Sequence, residues 1–225
     1  MRFSTYLIES TNENLFTDIK KKCKPYLSLL KGKEPLYRGI HDPSDALVTD
    51  GGLGYGIKKV HKDRNPKGTP LKDFKLLNKW LEGNEHVRRD QSISVTADIN
   101  SAQYFGSNSW IFPIGKFRYS WVKSHDMNHN NKKTGYYVDS NAFGRWDDDD
   151  KVATIGDFLK AYYSGTLDSR TKEADLANFI TTNKGFDEAY RKEYEIWIDC
   201  KEYYYILVKS KEGHIYTWKE LSNMI

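Results

Sequence analysis

"EYEIWIDCKEYYYILVK", residues 193–209, is the stretch on which the reading of the fold turns. Two aromatic-rich apolar runs, "YEIWID" and "YYYILVK", follow each other closely and read as strands late in the chain. Glu193 and Glu195 stand at the start of the first run. Side chains two apart on a strand share a face. The sequence therefore sets two carboxylates side by side, at a cost of roughly half a kcal/mol if exposed and more if buried. A solvated strand end beside Lys192 is one account of the pair. A site that uses both carboxylates is the other.

Working outward, "HIYTW" joins "YYYILVK" through "SKEG" in a hairpin, and a short terminal helix follows. Upstream, "WIFPIGKFRYSWV" (110–122) reads as two strand pieces with a turn at Pro113 to Gly115. "SISVTA" (92–97) alternates as a strand does, and "DINSAQYFG" (98–106) reads as a short capped helix. Pro70 opens a helix through Phe74, Leu77, Trp80 and Leu81 that closes near Gly83. "EPLYRGI" (34–40) is strand-like and ends near a glycine. Ser10 and Glu13 form a capping box for an early helix, with Leu15, Phe16, Ile19 and Cys23 on one face and a break at Pro25. Two further helices are expected around 154–164 and 171–182, after a polar, irregular stretch at 123–150.

Helices come early and strands cluster late, so the class is α+β with a largely antiparallel or mixed sheet. One domain is expected over 1–225, with an N-terminal helical segment, 1–33, packed on it.

The chain has 225 residues, 38% hydrophobic and 29% charged, and its sixteen Tyr and six Trp argue for a packed core. The net charge of +4 tolerates an anionic ligand without marking a dedicated nucleic-acid binder. Cys23 and Cys200 form no motif and are expected as reduced thiols. The apolar patch of "MRFSTYLIES" is too short for a signal peptide, and no run approaches the roughly 18 apolar residues of a membrane span. A cytoplasmic protein with no membrane partner is expected.

Several conspicuous stretches read blandly. "GGLGYG" lacks the P-loop lysine and the dinucleotide spacing, which leaves a flexible turn. The contiguous aspartates Asp147 to Asp150 cannot all converge on one cation and read as a solvated loop. His125 and His129 read as surface residues, so no metal site is expected. "HKDRNPKGTP" (61–70) is a basic loop, either solvated or in contact with phosphate.

Three short signals on strands remain: Arg38 in "LYRG", Ser94 and Thr96 in "SISVTADINSAQYFG", and Glu193 and Glu195 in "EYEIWI". In that order they resemble the ADP-ribosyltransferase family of the arginine–serine–glutamate class, over about residues 34 to 208. Ala102 with Tyr104 or Phe105 matches the helix that follows the family's hydroxyl triplet, which reads Ser-Val-Thr here. "KDRNPKGTP" and "FPIGKFRYSW" are also similar to segments of small proteins carried by tailed phages.

The resemblance implies split mixed or antiparallel sheets around an NAD cleft with flanking helices. It implies a glycosyltransferase of toxin-like type that moves ADP-ribose from NAD, its substrate, to a macromolecular acceptor. Breaking the nicotinamide–ribose bond passes through an oxocarbenium-like transition state that a fixed carboxylate stabilises. Glu195 takes that catalytic role. Arg38, with Gly39 beside it, binds the NAD pyrophosphate or ribose, where a permanently charged fork is most useful. Ser94 orients Glu195, with Thr96 assisting. Glu193 holds or deprotonates the acceptor, and E-x-E in this family goes with arginine in an acceptor protein. A nucleic-acid base is the alternative acceptor, and a non-enzymatic phage accessory protein is the alternative of another class. On the enzyme reading, Glu195→Gln is expected to abolish transfer while folding stays nearly intact.

Overall fold

The computed structural model describes residues 11–65, 71–122, 180–210 and 212–223. By Cα packing the chain divides into two compact units. One comprises residues 1–59, 98–117 and 200–225, and the other 60–97 and 118–199.

The first unit is built on a five-stranded sheet of order β1-β5-β9-β3-β2. Its strands are β1 (Tyr37–Ile40), β2 (Leu47–Val48), β3 (Gly54–Lys59), β5 (Ser107–Pro113) and β9 (Glu202–Leu207). Its helices are α1 (Asn12–Lys22), α2 (Lys24–Leu30), α4 (Ile99–Gln103) and α6 (Trp218–Ser222). Thr11 caps α1 by accepting from the Asn14 N–H at 3.1 Å, one position later than the Ser10 cap expected from the sequence. Leu15, Phe16 and Ile19 recur at helical spacing and are buried, which is what holds a lysine-rich helix on the protein. Pro25 opens α2, where its missing N–H costs nothing. The helices are pinned to the sheet by polar contacts inside this apolar packing. Tyr26 Oη accepts the Leu36 N–H at 3.0 Å, and its ring meets Phe112 edge-on. The Cys23 thiol donates to the Phe112 carbonyl, and burial pushes that thiol up to about 12.

"GGLGYGIKK" is not the loop the sequence suggests, because β3 begins at Gly54. Gly56 lies directly opposite Tyr205 on β9, and a Cβ on Gly56 would come within 2.5 Å of that ring. The missing side chain is the space the tyrosine occupies. Gly39 on β1 is tighter, since a Cβ there would meet the Ala102 carbonyl oxygen at 2.4 Å and the Phe105 backbone at 2.6 Å. The end of α4 sits on β1 only because residue 39 is glycine.

The second unit carries a four-stranded sheet of order β4-β8-β6-β7. It comprises β4 (Ile93–Val95), β6 (Arg118–Val122), β7 (Ile180–Thr182) and β8 (Ile196–Asp199), with helices α3 (Leu71–Gly83) and α5 (Phe186–Arg191) and a 3-10 turn at Arg89–Gln91. Every strand pairing in both sheets is antiparallel among the described residues, so the mixed alternative does not apply. Residues 180–182 are strand, not the end of the helix expected at 171–182. The rest of that helix, the one at 154–164, the Asp147–Asp150 run, His125 and His129 lie outside the described residues.

Opposed residues of an antiparallel pair point to the same face. The register therefore sorts this sheet cleanly. Ile93, Val95, Ile196, Ile198, Tyr119 and Trp121 share one face, where Tyr119 meets Phe186 of α5 and Trp121 stacks on Tyr194. Ser94, Trp197, Ser120 and Thr182 form a row across the other face, one residue from each strand. The first face is almost wholly apolar, and the second carries its hydroxyls beside Trp197, Val122 and Ile180.

Candidate active site

The polar face is covered by the segment from His86 to Arg89. The Val87 N–H donates to Ser120 Oγ at 2.9 Å, Ser120 Oγ lies 2.6 Å from Thr182 Oγ1, and that oxygen lies 2.7 Å from His86 Nδ1. The His86 ring packs beside Trp80 of α3 at 5.3 Å. Burial, with a smaller contribution from the Arg118 charge, holds the His86 imidazole below its ordinary value.

Along the same face lies the one ion pair in which both partners are buried among the described residues. Arg89 Nη2 donates to Glu195 Oε1 at 3.1 Å, with 7% and 9% of the two side chains exposed. The guanidinium carbon sits 5.3 Å from the centre of the Trp197 ring, so the cation is stacked as well as paired. The main chain that carries Arg89 is itself fixed. Asn78 Oδ1 accepts from the Arg89 N–H at 2.8 Å, and Arg64 Nη2 donates to the Arg89 carbonyl at 2.8 Å and also to that of Ser92. Arg64 of the supposed solvated basic loop thus turns inward to bind backbone.

Glu193 and Glu195 are not the paired strand residues that the sequence suggests. Strand β8 begins at Ile196. Glu195 extends its register by one, since its carbonyl accepts from the Val122 N–H at 3.2 Å. Glu193 instead ends the turn after α5, with φ 56° in the left-handed region and its side chain exposed. The turn is built by the Glu193 N–H donating to the Tyr190 carbonyl and the Tyr194 N–H to that of Ala189. Helix α5 went unread because it is short. Its signal was Phe186, Ala189 and Tyr190 at helical spacing behind Gly185. The like-charge penalty that opened the question is avoided, because one carboxylate is buried against a cation and the other faces water.

The S-x-T and E-x-E stretches do meet. Ser94 is directly opposite Trp197 on the neighbouring strand, on the face that carries Glu195. Thr96 Oγ1 donates to the Glu193 carbonyl at 3.3 Å, closing the end of the β4–β8 pair. Thr96 is buried and Ser94 half-buried. Arg38 and Gly39 belong to the first unit, with Arg38 half-buried on the sheet face shared with Ser109. Arg89 is the residue that sequence reasoning missed. Its partner lies 106 residues away, and no local pattern announces it.

No family model, curated protein or solved structure matches the chain. Among the described residues no group of three or more His, Cys, Asp and Glu side chains could hold a metal ion, and no helix is long and apolar enough to cross a membrane.

Proposed function

We propose that the chain is a mono-ADP-ribosyltransferase that takes NAD as substrate, with protein arginine as its acceptor. The observation that carries the reading is the meeting of the S-x-T and E-x-E stretches where β4 and β8 pair in the second unit. The split between the two carboxylates supports the division of labour. Glu195, held on the sheet face, is assigned to the ribose that becomes cationic as the C1′–nitrogen bond breaks and its electron pair leaves with nicotinamide. Glu193, exposed on the turn after α5, is assigned to the acceptor. A guanidinium nitrogen then bonds to C1′ and gives up a proton.

The Arg89–Glu195 pair supports a second reading, in which Glu195 is a structural anion and the protein binds no NAD. The two part on nicotinamide release from NAD by the purified protein. The transferase reading expects measurable release that falls on the order of a hundredfold or more in Glu195→Gln. The pair changes one detail of that experiment. Gln removes the charge opposite a buried guanidinium, so Glu195→Gln is expected to lose stability toward about 3 kcal/mol, and rates are compared per folded molecule. Undiminished release by the variant would refute the assignment of Glu195. No release and no NAD binding by the wild type would favour the structural reading.

A further inference from the structure

We propose that Arg89 is the positioning residue for Glu195, an inference that rests on the transferase reading. A carboxylate that must face a developing cation is useful only if its orientation is set before the substrate arrives. The structure fixes Arg89 from four directions. Asn78, buried on α3 and tied back to the Phe74 carbonyl at 3.0 Å, holds its N–H. Arg64 holds its carbonyl at 2.8 Å. Trp197, fully buried, lies beneath the guanidinium. Glu195 takes the hydrogen bond at 3.1 Å. The carboxylate is thereby referred through Arg89 to helix α3 and is not left to its own rotamers.

The residue type fits the duty. A planar guanidinium lies flat on an indole while it donates in its own plane, whereas a lysine ammonium is a compact point charge with no flat face to stack. The guanidinium also offsets the desolvation of the buried anion.

The test is steady-state nicotinamide release by wild type, Arg89→Lys and Arg89→Met, with rates normalised to the folded fraction read by near-UV circular dichroism. A positioning role predicts that kcat falls about tenfold to a hundredfold in Arg89→Met, while KM for NAD stays within about twofold, because Arg89 acts on the carboxylate and not on the nucleotide. Arg89→Lys keeps the charge and recovers part of the loss. If Arg89→Met does not fold, Arg89→Lys decides alone, with a kcat loss of about tenfold expected from the missing stack and fork. An active wild type whose Arg89 variants keep wild-type kcat per folded molecule would overturn this inference and leave the transferase reading standing. A wild type that neither binds nor cleaves NAD would overturn both.

Discussion

The two sheets solve the problem of a buried interior in opposite ways. In the first unit the sheet is filled by aromatic and aliphatic side chains, and glycine makes the room. Tyr205 lies over Gly56, Leu207 approaches Gly54, and the end of α4 fits the bare backbone of Gly39. Its ion pairs, such as Lys22 with Asp18, sit at the surface. In the second unit one sheet face buries Arg89, Glu195 and Ser120, with Thr182 half-buried beside them, under the segment from His86 to Arg89, and every one of those polar groups needs a partner. An apolar, tightly fitted interior stabilises. An ionic one does so at best weakly. The difference directs the search for function to the second sheet.

The largest effect is expected at the ion pair. Arg89→Met should cost about 3 to 5 kcal/mol in urea unfolding, because it strands Glu195 without a cation. Replacing both partners by methionine should restore most of that loss, since an apolar pair of similar volume fills the site without charge. A cost below about 1 kcal/mol for Arg89→Met would mean that the pair is effectively solvated.

The first sheet is tested through its glycines. Gly39→Ala should destabilise by up to about 3 kcal/mol, because its Cβ meets backbone atoms that cannot move independently. Gly56→Ala meets the side-chain ring of Tyr205 and not backbone, and should cost less. Equal costs at the two positions would show that α4 is free to lift from β1. Smaller again is the cap of α6, where Thr217 and Glu220 form a capping box. Thr217→Ala should cost about 1 kcal/mol, read as a lower urea midpoint.

The smallest expected effect belongs to the second sheet and depends on pH. The folded-state value of His86 is lowered from 6.5 by burial and by Arg118, so folding favours the neutral ring. That contribution is complete above 6.5 and is lost as pH falls through the depressed folded value. The urea midpoint should therefore decline on acidification, and His86→Phe should flatten this part of the curve. An unchanged slope in the variant would assign the decline to other groups.

Much of this architecture was legible in the sequence. The period of Phe74, Leu77, Trp80 and Leu81 gave α3, Asp98 capped α4 as expected, and the aromatic runs after Glu195 are strands. What escaped reading depended on partners distant in sequence. Residues 54–59 carry too many glycines to look like a strand until Tyr205 and Leu207 are placed opposite them. Glu193 falls off the strand because a helix too short for a periodicity argument ends just before it. The S-x-T and E-x-E stretches could be matched as patterns. The cation that holds Glu195 could not, since an arginine in "VRRDQS" carries no local mark of what it will meet.

The most direct measurement incubates the wild-type protein with NAD labelled in its adenylate phosphate and a bacterial lysate, then digests the products separately with protease and nuclease. An arginine-directed transferase puts label into macromolecular product that protease releases and nuclease does not, and that Glu193→Gln reduces strongly while sparing nicotinamide release. Label lost to nuclease would make nucleic acid the acceptor. No incorporation, from a protein that also fails to bind NAD, would contradict the account at its centre.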